Sequence, residues 1–231
     1  MFTPKDFKTI TFDCYGTLID WETGILAGVI PMLARHGISL PATEILRAYA
    51  RAESAVEAGP DVLYREVLRR TLVGMSVDLG FAPSSADCEV LARALPSWAP
   101  FSDTCGVLRR LTGRYRLGLI SNIDEDLLYT TRRALGVEFD LVVTAERARA
   151  YKPAIRPFEM ALAEMGGSSA QWLHVAQSRF HDIEPALRMG LSCVHVQRSS
   201  GGESGRVVPE CTAEATRSVD TLAELADLLG V

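Results

Sequence analysis

From residue 115 onward the chain alternates between short β-favouring runs and helical patterns, and that alternation leaves few folds open. The runs YRLGLIS (115–121), DLVVTA (140–145), WLHVA (172–176) and SCVHV (192–196) are separated by helix-like segments at 124–136, 154–166 and 182–190. Each of those three segments closes on a glycine, a common helix stop. Strands spaced by helices of about 10–15 residues read as β-α-β units, which build a parallel sheet. KTITFD (8–13) adds a strand ahead of them. TLAELADLL (221–229) closes the chain as a helix, with Thr221 and Glu224 spaced as a capping box.

The alternation breaks after the first strand. Residues 22–98 give helical patterns only, at 23–37, 42–59, 61–80 and 84–95. In the third, Val62, Leu63, Val67, Leu68, Leu72 and Val73 fall on one helical face. An all-helical insert between the first and second strands of a parallel sheet is a domain of its own, placed over the carboxyl end of the first strand. The expected architecture is therefore an α/β, Rossmann-like, doubly wound parallel sheet built from residues 1–20 and 99–231, with a helical domain from 21–98. The stretch 199–218, rich in Gly, Ser, Thr and charge, is expected to be an exposed loop.

Composition narrows the partners. A net charge of −5 and a pI near 5.5, with no basic cluster, argue against nucleic acid and for small molecules or proteins. No run of 18 apolar residues and no apolar leader is present, so neither a membrane span nor secretion is expected. The five cysteines show no C-x-x-C pair and suit free thiols in a reducing cytoplasm.

Ligands of open parallel sheets bind beyond the carboxyl ends of the strands, where strand order reverses. Here the strand ends carry Asp13, Ser121 with Asn122, Lys152 in the following YKP loop, and Gln177, Ser178, Arg179, His181 and Asp182. Each has an ordinary structural reading, such as Asp182 capping the helix after it. Together, the fold would gather them. A carboxylate on a rigid strand end beside a cation and neutral donors suits nucleophilic chemistry. Gly16 allows a tight turn after Asp13, and Lys152 would favour the ionised form of a carboxylate within about 4–6 Å.

These residues also carry a resemblance. FDCYGTLID, LISN, YKP and HD (181–182) resemble, in order, the motifs of the haloacid dehalogenase superfamily, and the insert sits where that superfamily carries a cap domain. The superfamily's phosphatases hold an acid two residues after the nucleophile, to protonate the leaving group. This chain has Tyr15, a phenol with a reference pKa of about 10 and a poor substitute. D-x-Y-G-T is similar to the type II (S)-2-haloacid dehalogenase branch, which needs no metal. The resemblance implies a small carboxylate substrate, Asp13 as nucleophile, Lys152 holding it charged, and Asp182 positioning the lysine. It implies Tyr15, Thr17, Ser121, Asn122, Ser178 and Arg179 as substrate-binding residues. It also implies a homodimer.

Those dehalogenases carry Asn three residues before the last Asp, where this chain has Arg179. The forms QSRFHD and SNID lie closer to a sister branch that includes azetidine-2-carboxylate hydrolase. Dehalogenases use a cap arginine for the halide, and Arg47 and Arg51 lie in the matching region, with helix-surface roles as the default. Asp20 is expected to cap the helix after it, and Trp21 to pack between the two domains. His36, His174 and His195 show no metal spacing and are read as unrelated to the chemistry, and His181 as structural. Two readings stand beside the metal-independent hydrolase. One is a Mg²⁺-dependent phosphatase using Asp13 and Asp182 as metal ligands; the other is a non-catalytic binding protein on the same scaffold.

Overall fold

Strand β1 (Thr9–Phe12) is buried along its whole length, so both faces of the sheet must be covered there. The computed structural model describes residues 2–59, 62–198 and 211–231. Among them, β1 lies between β2 (Arg116–Ser121) and β4 (Trp172–Ala176), with Thr9 level with Arg116 on one side and Trp172 on the other. Strands β3 (Leu141–Thr144), β5 (Ser192–Val196) and β6 (Arg217–Val219) complete a sheet of order β3-β2-β1-β4-β5-β6, every pair parallel. The chain runs outward from β1 through β2 to β3, then returns to β1's other side at β4. The reversal point is the crevice at the carboxyl ends of β1, β2 and β4, where Asp13 stands.

Between β1 and β2 lie α1 (Trp21–Arg35), α2 (Ala42–Glu57), α3 (Tyr64–Leu79), α4 (Ser85–Cys88) and α5 (Val90–Ala94). The chain leaves and re-enters the sheet domain through two paired segments: Asp20 N–H donates to Ala99 O (2.9 Å) and Phe101 N–H to Leu18 O (3.0 Å). Asp20 caps α1, accepting from Thr23 N (3.2 Å). After the insert come α6 (Thr104–Leu111), α7 (Glu125–Leu135), α8 (Ala145–Ala148), α9 (Arg156–Met165), α10 (Glu184–Arg188) and α11 (Leu222–Leu229).

The start of α3 is capped from the sheet domain. The first N–H groups of a helix lack partners within it. Asp124, 60 residues away, accepts from Tyr64 N (2.6 Å) and Arg65 N (2.9 Å). Tyr151 adds its hydroxyl to Val62 O (2.7 Å). These bonds fix the insert against the strand ends and set Tyr64 facing Asp13's crevice.

Several sequence expectations need correction. Residue 61, where the third helix was expected to begin, lies outside the described residues, and α3 starts at Tyr64. Its buried face is Tyr64, Val67, Leu68, Thr71, Leu72 and Met75, whereas Leu63 and Val73 are exposed. The face is rotated because Thr71 and Tyr64 are buried by contacts a hydrophobicity pattern does not register. Of the expected loop at 199–218, residues 199–210 lie outside the described residues, while Arg217 and Ser218 belong to edge strand β6. Three residues with two exposed side chains give no alternating signal. The expected helix at 182–190 begins instead as a π-helical turn, Arg179–Ile183, so Asp182 is not a helix cap. Thr221 caps α11 through Glu224 N (3.1 Å), but Glu224 returns its carboxylate to Asp220 N (2.8 Å) rather than to the cap residue.

Trp98 closes the insert against α1 over Gly24, where an added Cβ would lie 2.2 Å from the ring's Cδ1 and 2.4 Å from Cγ. Trp98 is only 4% exposed, so the ring has little room to yield. We expect Gly24→Ala to destabilise the protein by about 1–3 kcal/mol, against the roughly 0.5–1 kcal/mol gain usual for this change inside a helix. A lower urea midpoint at unchanged slope is the expected reading.

Candidate active site

β1 delivers Asp13 to the crevice, and the turn after it folds back at once: Gly16 takes φ +93° and donates its N–H to Ile19 O. A Cβ at Gly16 would lie 3.0 Å from Trp21 Nε1, so the indole of α1 rests directly on this turn. The same turn aims Thr17 at the carboxylate. Thr17 Oγ1 donates to Asp13 Oδ2 (2.7 Å) and accepts from Gln177 N (3.0 Å), which joins the ends of β1 and β4.

Lys152 supplies the countercharge. Its buried Nζ spends three donors on Asp13 Oδ1 (2.9 Å), Asp182 Oδ1 (2.6 Å) and Ile120 O (2.8 Å). Its loop is held by Asn122, whose Oδ1 accepts from Lys152 N (2.7 Å) and whose Nδ2 donates to Lys152 O (3.1 Å). Asp182 leans on a second chain of bonds. Trp172 Nε1 donates to Thr11 Oγ1 (2.7 Å), Thr11 Oγ1 lies 2.8 Å from His174 Nδ1, and His174 Nε2 lies 3.1 Å from Asp182 Oδ1. The chain is satisfied when Thr11 donates to Nδ1 and the ring donates from Nε2.

Burial pushes the Asp13 carboxyl above its ordinary value, against the pull of Lys152. Burial would also raise Asp182, but Lys152 and His174 outweigh it and hold that carboxyl low. Burial alone would weaken the Lys152 ammonium, yet the two carboxylates carry it up to about 12. The result is an ionised Asp182–Lys152 pair beside a carboxyl whose burial is only partly offset by Lys152 and Thr17.

Above this triad lies a cavity of about 110 Å³. The sheet domain lines it with Asp13, Tyr15, Ser121, Asn122, Lys152, Gln177, Ser178, His181 and Asp182; the insert adds Trp21, Tyr49, Glu53, Glu57, Tyr64 and Trp98. Ser121 Oγ and Trp98 Nε1 are buried without a hydrogen-bond partner. Tyr15 turns its hydroxyl away from Asp13, to Thr131 Oγ1 (2.9 Å), and sets its ring edge-on to Trp98 at 5.8 Å. Burial drives its phenol well above the ordinary value. Ser178 Oγ lies 3.0 Å from His181 N and 3.1 Å from its Nδ1, and burial lowers that imidazole to about 4.

Of the sequence-derived residues, Asp13, Tyr15, Ser121, Asn122, Lys152, Ser178 and Asp182 meet around the cavity. Thr17 does not line it and acts on Asp13 from behind. Arg179, the first residue of the π-helical turn, does not line it either; its charge lies near His195, and Gln177, Ser178 and His181 form that wall. Arg51 pairs with Asp78 (3.0 Å) and, like the exposed Arg47, stands outside the cavity. His174, read from sequence as unrelated, touches Asp182, and His195 Nε2 lies 2.9 Å from Gln177 O. Sequence reasoning missed Tyr49, Glu53 and Glu57. Their spacing of four residues along YARAESAVE, beside the apolar Ile45, Ala48 and Ala52, was the available signal.

Comparison with known proteins places this geometry. The family model for haloacid dehalogenase-like hydrolases matches residues 7–190. An (S)-2-haloacid dehalogenase of Pseudomonas putida is 26% identical over 240 residues, 97% of each chain. A phosphoglycolate phosphatase of Pseudomonas syringae pv. syringae is 29% identical over 217 residues, covering 91% of this chain and 76% of its own. The crystal structure of a defluorinating L-2-haloacid dehalogenase has the same fold, with a TM-score of 0.81 over 100% of this chain and 99% of that one at 24% identity.

The electrostatics predict a titration. Lys152 lowers the Asp13 carboxyl, so Lys152→Met should move its titration upward from a value already above the ordinary 3.8. Carboxyl ¹³C shifts across a pH series check this, and an unmoved Asp13 would show that the two groups are not coupled. The His181 ring signals should stay flat between pH 5.5 and 8, because the ring remains neutral above about 4.

Proposed function

The chain belongs to the haloacid dehalogenase-like hydrolases, and on that premise we propose that it displaces a substituent at the α-carbon of a small 2-substituted carboxylate without a metal. Tyr15 carries this reading. A phosphoryl-transfer enzyme of this design needs a proton donor beside its nucleophile. The side chain here is a phenol raised well above its ordinary pKa, with its hydroxyl committed to Thr131. The leaving group therefore departs without a proton from this position.

The steps follow from the placement of the side chains. An oxygen of Asp13 attacks the α-carbon, forming the C–O bond of an aspartyl ester as the leaving group takes the other bond pair. The substrate carboxylate is oriented by Ser121 Oγ, a buried hydroxyl with no internal partner that lines the cavity. Water then attacks the ester carbonyl of Asp13. The oxyanion formed there is stabilised by Lys152 Nζ, which lies 2.9 Å from Oδ1 in the resting site, while Thr17 Oγ1 holds the other oxygen, the ester oxygen joined to the alkyl carbon, until collapse. Collapse returns the Asp13 carboxylate and releases a 2-hydroxy acid and a proton. The insert acts as the cap that keeps bulk water from the ester. The five unbridged thiols support placement in a reducing cytoplasm.

Phosphatases among the relatives raise the Mg²⁺-dependent alternative. The donor set fits that ion poorly. Asp182 Oδ1 is occupied by Lys152 and His174, position 15 offers no carboxylate, and among the described residues no three acidic, histidine or cysteine side chains converge for a metal.

A single turnover of a 2-halocarboxylate in ¹⁸O-water should place label first in Asp13 and only later in product. Label in product with none in Asp13 would mean direct attack by water. Asp13→Asn should fold and lose activity by at least about 10³-fold. The wild type should retain full turnover in excess chelator, whereas Tyr15→Asp should lose turnover and bind Mg²⁺ more tightly. A wild type that requires Mg²⁺ and hydrolyses phosphate esters would overturn the reading.

A further inference from the structure

Hydrolysis of an ester on Asp13 requires a group that takes a proton from the attacking water, and that group must line the cavity. Most titratable side chains there are already engaged. Lys152 is a cation bonded to Asp13 and Asp182. Asp182 Oδ1 meets both Lys152 and His174, which hold its carboxyl low and make it a weak base. The Tyr15 hydroxyl is turned to Thr131 Oγ1. Glu53 Oε1 accepts from Tyr49 Oη (2.6 Å) and Tyr64 Oη (2.7 Å), which occupies that carboxylate and both phenols. Glu57 remains, one helical turn further along α2 and also on the cavity wall. Among the described residues no hydrogen bond occupies its carboxylate; it faces His181, whose Nε2 lies 3.8 Å from Oε2.

His181 is oriented to complement that carboxylate. Ser178 Oγ accepts from His181 N (3.0 Å) and lies 3.1 Å from Nδ1, so its hydroxyl hydrogen goes to Nδ1. The ring, neutral above about 4, then carries its own hydrogen on Nε2, on the side of Glu57. A separation of 3.8 Å is too long for a direct hydrogen bond. One water at about 2.8 Å from each group fits the gap, accepting from Nε2–H and donating to Oε2. Both side chains stand near the ester, since the charge of Lys152 acts on each of them. Burial and the neighbouring Glu53 raise the Glu57 carboxyl well above its ordinary value, which makes its carboxylate a stronger base than that of Asp182.

We infer that Glu57 is the general base of the hydrolytic half-reaction and that His181 positions the water it deprotonates. The step rests on the α-carbon reading above, which supplies the ester. As the water oxygen bonds to Cγ of Asp13, one water proton passes to Glu57 and the carbonyl electron pair moves onto the oxygen beside Lys152. On collapse the bond between Cγ and the ester oxygen breaks. That oxygen departs with the electron pair as the product alkoxide and takes the proton back from Glu57, giving the 2-hydroxy acid. The second water proton leaves as the Asp13 carboxyl ionises. The first half-reaction uses no base, because Asp13 attacks as a carboxylate.

Rapid mixing with excess 2-bromopropionate separates the two halves. Glu57→Gln should release one bromide per site in a burst at close to the wild-type rate. Steady turnover should then be slower than wild type by at least about 10²-fold. The ester should accumulate meanwhile, visible by mass spectrometry as an added carboxyethyl group on the peptide that holds Asp13. His181→Phe, which keeps a ring and removes the Nε2–H, should also spare the burst and slow the second phase. Should Glu57→Gln fail to fold, as its unfolding midpoint would show, His181→Phe carries the test by the same readout. Burst and turnover slowed together, or turnover left unchanged, would overturn the assignment. ¹⁸O label in wild-type Asp13 with no ester accumulating in either variant sinks this inference alone. A wild type that forms no ester and takes no label into Asp13 sinks the displacement reading, and this inference with it.

Discussion

The structure at the strand ends depends on one ammonium placed between two carboxylates. Lys152 Nζ reaches Asp13 at 2.9 Å and Asp182 at 2.6 Å, in a site where none of the three side chains is more than 9% exposed. Buried ion pairs contribute little net stability, because desolvation offsets most of the attraction. Their value here lies in position. Asp182 is anchored twice, by Lys152 and by His174, so it stays ionised and fixes the lysine. Asp13 receives the remaining donor and the Thr17 hydroxyl, too little to offset its burial. The two carboxylates, chemically identical, are thereby set apart: the Asp13 carboxyl lies above its ordinary value and the Asp182 carboxyl below it.

The supports reach well back into the sheet. Asn122 grips the backbone of Lys152 through both ends of its amide, tying the loop after β3 to the end of β2. The Trp172–Thr11–His174 chain links β1 and β4 beneath Asp182. Thr17 and Gln177 join the same two strands above it. Every strand end at the reversal point is thus bonded to another, which leaves the carboxylate little freedom to turn from its target.

The second wall comes from a different part of the chain. Asp124 caps α3 across the crevice, and this seats Tyr64 where its hydroxyl meets Glu53. The roof is therefore positioned by the floor. That coupling brings an acidic, aromatic surface over Asp13. The fold and the Asp13–Lys152–Asp182 cluster supply one wall of the cavity, and side chains of α2 and α3 supply the other.

Much of this was legible in the order of residues. The β-α alternation after residue 115, a carboxylate at the end of the first strand, a lysine after the third and an acid after the fourth are local patterns, and a parallel sheet must bring its strand ends together. Tyr15 in place of an acid was equally plain. What the sequence could not carry were contacts between distant segments. His174 lies on a buried strand and reads as a core residue until its ring is seen against Asp182. Arg179 reads as a site residue until the cavity wall is seen to consist of Gln177, Ser178 and His181. Glu53 and Glu57 read as the solvated face of a helix, because only the docking of the insert, held by Asp124 some 60 residues from Tyr64, turns that face inward. Periodicity and strand order are set by neighbours along the chain, so the sequence alone determined the scaffold and the triad. The charge and shape of the cavity are set by how the helical insert meets the strand ends, and only the tertiary structure decided those.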